Sequence, residues 1–259
     1  MNSISPNLNL MIKSCEKVSK VLIRDFGEVE KLQVSIKGPK NFVTNSDRKV
    51  EDMLVNELSK SKKKYSFLTE ESGFIKNEDK ENFWVIDPID GTTNFINGIP
   101  HFCISVGLVL NNEIVSGVIF DPIKDEIYYA EKNSGAYMNN KSIRVSRKKE
   151  ISECLFSSNS KKISSDGLTI RITGSAALDL AYVSCGRFDG SFHKNLSLWD
   201  IAAGSILVRE AGGVLSDIDL KKTENISLIA SNQSIEKEIN NKISTVSYTH
   251  LTLPTSSWV

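Results

Sequence analysis

The sequence predicts a layered sandwich of mixed α/β or α+β class, and three observations predict it. Helical and strand-length apolar segments are interleaved without strict βαβ alternation, which argues against a Rossmann sheet or a barrel. No internal repeat is visible, which fits the same reading. At 259 residues, 40% hydrophobic and 25% charged, the chain can bury one large core or two intimately packed ones.

The elements follow in order. A first helix opens at Ser5-Pro6, where proline suits the first turn, and apolar residues at 8, 11, 12, 15, 18, 22 and 26 keep helical spacing. That spacing sets the start apart from the continuous apolar run of a signal peptide. A second helix is expected at about 46–60, with Val50, Met53, Leu54 and Leu58 on one face. Alternating, β-branched segments at 65–68, 83–86, 103–110, 114–120 and 126–130 read as strands. Asn111-Asn112 suits a hairpin turn, and 135–139 reads as a further strand followed by a turn at 140–141.

In the second half, strands near 155–157 and 168–172 precede a helix at about 175–184 and a short strand at 188–192. A helix at 199–211 is stopped by Gly212-Gly213. Strands at 214–217 and 227–230 and a helix at about 234–242 complete the pattern. The stretch VSYTHLTLPT (246–255) has no helical period and reads as the in-frame translation of a sequencing-library adapter. The expected folded unit is therefore 1–245, with an α+β half at about 1–145 and an α/β half at 146–245. Residues 246–259 are expected to be a non-native tail, and His250 receives no functional weight.

Lys+Arg and Asp+Glu balance at 32 each, so no net field draws nucleic acid or an anionic membrane. The lysine-rich run at 60–64 reads as a solvated helix end. Cys15, Cys103, Cys154 and Cys185 are far apart with no C-x-x-C, which fits reduced thiols in a cytoplasmic protein. No stretch has the length of a membrane span.

The chemistry concentrates where the apolar run Phe83–Ile86 stops at a carboxylate, in D-P-I-D-G-T-T-N (87–94). Pro88 fixes φ and lacks an N–H, which is expected to push the chain out of the strand into a rigid turn. Asp87 and Asp90 then converge, with the Ile89 carbonyl turned toward the same point. Two ionised carboxylates at a buried strand end are unfavourable without a cation between them. Oxygen donors alone point to Mg²⁺, with Mn²⁺ second. Gly91 permits close backbone approach, and Thr92 and Thr93 can start a helix whose free N–H groups face an anion, so the segment suits a phosphate. Taken alone, D-P-I-D-G also fits a surface turn.

Other acids fall at comparable places. Glu70 and Glu71 follow the apolar segment 65–68, Asp200 begins a helix beside Ala202, Ala203 and Gly204, and Asp47 follows Val43-Thr44-Asn45-Ser46. Singly, Asp200 fits a helix-dipole acid and Asp47 a helix cap. Together they lack so plain an explanation.

In this order, F-V-T-N-S-D (42–47), T-E-E-S (69–72), W-V-I-D-P-I-D-G-T-T-N-F (84–95), G-S-A-A-L-D-L-A (174–181), W-D-I-A-A-G (199–204) and E-A-G-G (210–213) resemble the inositol monophosphatase family of Mg²⁺-dependent, lithium-sensitive phosphatases, over about residues 5–243. The T-T-N after D-G is similar to the inositol monophosphatase branch of that superfamily. The resemblance implies an αβαβα sandwich, a homodimer, and a small phosphate ester as substrate, inositol 1-phosphate first. It implies a first metal on Glu70, Asp87 and the Ile89 carbonyl, and a second on Asp87, Asp90 and Asp200. A third, weaker Mg²⁺ would share Glu70. Thr92 and Asp47 would orient and deprotonate the attacking water, with Glu70 beside them in the catalytic set. The substrate would meet Glu70, Ile89, Asp90, Gly91, Thr92, Gly174, Ser175, Ala176, His193 and Asp200.

Three positions depart from the family pattern. His193 stands seven residues before Asp200, where a glutamate commonly contacts inositol hydroxyls. Only about 14 residues separate Phe156 from Arg171, where an extra helix is usual, so a shortened pocket wall is expected. Asn41 stands where an aspartate is frequent. These leave two alternatives: a histidinol-phosphate, sugar-phosphate or bisphosphate phosphatase of the same fold, and a non-enzymatic accessory factor of transcription.

Overall fold

A computed structural model describes residues 4–28, 34–38, 41–160 and 167–248. Two helices come first: α1 (Pro6–Phe26), capped by the Ser5 hydroxyl accepting from the Leu8 N–H, and α2 (Asn45–Ser59). Between them β1 (Val34–Gly38) and β2 (Asn41–Thr44) form an antiparallel pair. Eight strands then build the large sheet: β3 (Tyr65–Thr69), β4 (Gly73–Ile75), β5 (Asp79–Asp90), β6 (Cys103–Leu110), β7 (Glu113–Asp121), β8 (Glu126–Glu131), β9 (Gly135–Met138) and β10 (Lys141–Ser142). Their order is β10-β9-β8-β7-β6-β5-β3-β4, antiparallel except where β3 runs parallel to β5. A short helix, α3 (Thr92–Ile96), follows β5.

The remaining chain forms a second sheet of five strands, ordered β12-β11-β13-β15-β14. These are β11 (Leu155–Ser158), β12 (Thr169–Arg171), β13 (Gly190–Leu196), β14 (Val214–Leu215) and β15 (Ile226–Ser231). Helices α4 (Ala176–Ser184) and α5 (Leu198–Glu210) are buried almost all round, whereas α6 (Glu236–Tyr248) comes last in the chain.

Three apolar clusters define the layers. Leu8, Met11, Val18 and Leu54 of α1 and α2 pack on Trp84, Ile86, Val106 and Val118 of the large sheet. The opposite face of that sheet (Val85, Ile119, Tyr128) meets α4 and α5, which also cover Leu228 and Ala230 of the second sheet. Ile235, Ile239 and Ile243 close the far side over Phe156 and Phe192. The result is the expected αβαβα sandwich. Burying each such aliphatic or aromatic side chain is worth roughly 1.5–3 kcal/mol, which favours this stacking over exposure of either sheet face. The central layer is tight because of small residues: a Cβ on Gly117 would stand 2.6 Å from the Ala203 carbonyl oxygen, and one on Gly204 2.5 Å from Leu180.

The structure corrects several expectations. The D-P-I-D segment is not a turn after a strand; it lies within β5, which runs on to Asp90. Asp87 faces Ser105 and Asp90 faces Cys103, so three steps on β5 match two on β6. This is a β-bulge, the place where a strand tolerates proline, and the extra residue returns residues three apart to one face. The strand expected at 188–192 is β13 at 190–196, which carries His193 inside the sheet. The second hairpin turn sits at Asn139-Asn140, both at positive φ, one residue earlier than read; Asn111 and Asn112 turn as expected, at φ 50 and 60. The last helix continues past 242 to Tyr248, overlapping the start of the stretch read as a tail. Leu251, Leu253, Trp258 and His250 lie outside the described residues, as do 161–166 of the segment read as shortened. Among the described residues no helix is long and apolar enough to cross a membrane.

Candidate active site

The bulge in β5 supplies two acids, and the neighbouring elements bring the rest. Thr69 pairs with Ile86, and the ladder continues with the Glu70 N–H donating to the Ile86 carbonyl at 3.2 Å, so Glu70 stands beside Asp87. The Ser105 hydroxyl, opposite Asp87, donates to the Trp199 carbonyl at 3.3 Å and pins the start of α5 there. Asp200 is the next residue. Its Oδ2 accepts from the Ser197 N–H at 2.7 Å, closing a capping box that fixes the carboxylate. Carboxylate oxygens of Asp87, Asp90 and Asp200 consequently lie within 4.8 Å of one another.

Hydrogen bonds hold each acid. Asp90 Oδ2 accepts from the Ser175 hydroxyl at 2.6 Å and from the Ala177 N–H at 2.7 Å, tying β5 to the start of α4. Asp87 Oδ1 accepts from the Ile89 N–H at 3.0 Å, across the bulge. Thr92, first residue of α3, shares its hydroxyl between the Ile89 carbonyl at 3.0 Å and Asp47 at 3.3 Å, and Asp47 is fully buried.

Electrostatics follows from this crowding. Burial, then Glu70, Asp90 and Asp200, push the Asp87 carboxyl well above its ordinary range. Burial raises Asp90 to about 6 against the pull of Ser175 and Ala177. Burial and then Asp90 raise Asp200 to about 7. Each acid resists ionising where it stands, which is the condition that a divalent cation relieves.

Glycines carry two of the turns. Gly91 caps α3 at φ +98, where a Cβ would stand 3.0 Å from the His101 carbonyl oxygen. Gly174 has φ +88, and a Cβ there would meet Asn94 Nδ2 at 2.9 Å. Asn94 needs that approach because its amide donates to both the His101 carbonyl (2.7 Å) and the Thr173 carbonyl (2.9 Å).

The structure thus brings together Asp47, Glu70, Asp87, Ile89, Asp90, Gly91, Thr92, Ser175 and Asp200. Gly174 and Ala176 flank Ser175 at the start of α4. His193 is buried on β13, with Nε2 3.1 Å from Asp179 Oδ2.

Sequence reasoning missed Glu51, Asn94 and Asp179. Glu51 accepts from the Glu71 N–H at 2.8 Å and the Ser72 hydroxyl at 2.5 Å, and so anchors the turn that presents Glu70. An acid in register with Asp47, Leu54 and Leu58 on the buried face of α2 was its visible signal. Asp179, in the apolar run A-A-L-D-L-A, left a similar one.

Comparison with known proteins gives the family. Residues 4–248 match the model of the inositol monophosphatase family. An inositol-1-monophosphatase of Mesorhizobium japonicum is 42% identical over 90% of this chain and 94% of its own. A Nus factor SuhB of Pasteurella multocida is 35% identical, over 93% and 96%. The solved structure of the Thermotoga maritima IMPase superposes with a TM-score of 0.86 at 36% identity, covering 95% of this chain and 99% of that one. Matching over almost its whole length, with the acids of the recognised segments gathered at one bulge, the chain belongs to the inositol monophosphatase family.

Proposed function

We propose that this phosphoric monoester hydrolase releases inorganic phosphate from a small polyol phosphate, inositol 1-phosphate first, with Mg²⁺ held by Asp87, Asp90, Asp200, Glu70 and the Ile89 carbonyl. The observation that carries the reading is the group of three carboxylates within 4.8 Å, buried at Asp87 and Asp90 and half-buried at Asp200, each raised in pKa by burial and by its neighbours. The donor set fits the ion: oxygen only, with several anionic ligands and no thiolate or imidazole among the three carboxylates. When bound, divalent ions supply charge neutralisation at the phosphoryl group and a more acidic water.

The chain's own residues do the rest. The Thr92 oxygen keeps lone pairs free while its hydrogen is shared between Asp47 and Ile89, so it can accept from the attacking water and relay a proton toward Asp47. Burial of Asp47 keeps that carboxylate from bulk solvent. The αL backbone of Gly91 turns the chain sharply where phosphate oxygens would approach the N–H groups of 91–92. Ser175 and the Ala177 N–H hold one Asp90 oxygen and leave the other toward the ligand.

A panel of phosphomonoesters at defined Mg²⁺ tests the reading. Phosphate release should require the divalent ion, with Mn²⁺ as a weaker substitute, and should favour inositol 1-phosphate. Preference for histidinol phosphate or a sugar bisphosphate would overturn the polyol assignment, and absence of release from every ester would overturn hydrolysis. The relative named as a Nus factor supports a second reading, a transcription accessory role beside or instead of hydrolysis. Such a role in D200N protein that no longer hydrolyses esters would separate the two.

A further inference from the structure

We propose that Glu51 is a positioning residue for the hydrolase site: from the buried face of α2 it fixes the turn that carries Glu70, and so sets how tightly the cation on Glu70 is held. This rests on the metal-dependent hydrolase reading and names a residue that serves it without touching ion or substrate.

Helix α2 carries two buried carboxylates one turn apart on the same face, Asp47 and Glu51. Asp47 accepts from the Thr92 hydroxyl at 3.3 Å. Glu51 reaches the hairpin turn between β3 and β4, where its Oε2 accepts from the Glu71 N–H at 2.8 Å and its Oε1 from the Ser72 hydroxyl at 2.5 Å. One helix thereby spaces the hydroxyl that orients water against the turn that offers Glu70.

The two bonds to Glu51 are shorter than those by which the hairpin closes itself. Thr69 pairs with Gly73, and its hydroxyl accepts from the Ser72 N–H and donates to the Gly73 carbonyl, each at 3.3 Å. Ser72 is exposed and Glu70 and Glu71 are half-buried, so burial of apolar surface does not fasten this loop. Glu70 has a long side chain, and the loop backbone decides where its carboxyl can reach. Its N–H is fixed on the Ile86 carbonyl at 3.2 Å, and its carboxyl comes within hydrogen-bonding range of Asp87. Glu51 fixes the other side of the turn. An ionised carboxylate suits that task because it offers acceptors to both donors at once, whereas an amide has a single carbonyl oxygen. Groups that orient a metal ligand in this way typically change affinity by about 10- to 100-fold when lost.

Titration of the full chain with Mn²⁺, counting free ion by electron paramagnetic resonance and with no substrate present, tests this. E51A should weaken the ion that depends on Glu70 about tenfold and leave the one on Asp90 and Asp200 within about twofold. E51Q, which keeps one acceptor, should weaken the first ion about severalfold. In E70A protein, which already lacks the ligand, adding E51A should change nothing further, the non-additivity of a residue that acts through another. Equal weakening of both ions, a full additional loss in E70A, or affinities within about twofold of the unaltered protein in E51A would each overturn the proposal.

Should E51A fail to fold, E51Q and S72A decide in its place. S72A removes one donor at an exposed position and should weaken the same ion about two- to threefold, so no change in either variant would be fatal. Rate against Mg²⁺ concentration gives a second readout: in E51Q the midpoint should rise by the factor seen with Mn²⁺, while kcat at saturating ion stays within about twofold. Unaltered protein that binds the ions but hydrolyses no ester would defeat the hydrolase reading alone. Unaltered protein that binds no Mn²⁺ would overturn both.

Discussion

Two kinds of acid are taken out of water in this molecule. Asp121, at the end of β7, and Asp189, just before β13, are almost fully buried, and each brings its own cation: Lys124 Nζ at 2.5 Å and Lys148 Nζ at 2.9 Å. Backbone donors complete them, from Ile123 and Lys124 to Asp121 and from Leu155 to Asp189. Asp87, Asp90 and Asp200 are gathered with no such partner; among the described residues none is ion-paired to a lysine or arginine, and each is pushed toward protonation. The first kind stabilises a turn or a strand start. The second raises the energy of the metal-free fold, which makes sense where a cation arrives from outside.

The largest expected effect breaks this comparison outright. D90N and D200N should each lower Mg²⁺-dependent phosphate release by about 100-fold or more, the scale of losing a key charge-stabilising group. Neither should lower the melting temperature of metal-free protein, because each removes a repelling charge. D121A should behave in the opposite way. Losing an acceptor for three donors, with Lys124 still partly in water, should destabilise by about 1–3 kcal/mol while leaving the rate per folded molecule near its original value. If D90N and D121A gave the same pattern by phosphate assay and calorimetry, the distinction would fail.

A ligand-induced shift sharpens the same point. Mg²⁺ at about 100 times its Kd should stabilise the fold by roughly 2.7 kcal/mol, a rise of about 5–10 °C for a chain of this size. D200N should lose the shift and D121A should keep it.

Much of this was legible in the sequence, and the part that was not has a physical cause. D-P-I-D could be read as convergent acids because proline forbids a regular ladder, but a turn and a bulge solve that constraint equally well. Only the pairing of Asp87 with Ser105 and Asp90 with Cys103 decides between them, and pairing is a long-range property. Glu70, Asp200 and Asp47 were visible as acids at the ends of apolar segments. Glu51 and Asp179 were passed over because an acid inside a helical apolar face is invisible to end-of-element reasoning. The extent of the last helix to Tyr248 was hidden because Val246 and Tyr248 add no clear apolar period.

The unpaired acids also set a pH dependence. Asp90 at about 6 and Asp200 at about 7 stand above the 3.8 of an unperturbed aspartate, so between those values the folded chain binds more protons than the unfolded one. Stability then falls as pH rises: the contribution is present below 3.8 and is lost through about 6 and about 7. Melting of metal-free protein from pH 4.5 to 8 should show this decline superimposed on the other titrations, and D90N should flatten it. Saturating Mg²⁺ should abolish it by favouring the ionised acids. A slope unchanged in D90N would show that these groups are not its source.

The smallest effect concerns Ser175, whose hydroxyl is one of two strong donors to Asp90 Oδ2 and touches neither Asp87 nor Asp200 in hydrogen-bond range. S175A leaves the Ala177 N–H and the weak Cys103 thiol contact at 3.9 Å in place, so Asp90 should stay where it is but hold its charge less readily. A hydrogen bond to a charged group is worth about 1.5–3 kcal/mol, and the remaining donors should recover part of that. The expected outcome is about a five- to tenfold higher Mg²⁺ concentration for half-maximal rate, with the rate at saturating Mg²⁺ reduced no more than severalfold. Rate against Mg²⁺ concentration measures both quantities. A large fall at saturating ion with an unchanged midpoint would place Ser175 on the substrate, as the sequence reading had it, and take it away from the acid it now serves.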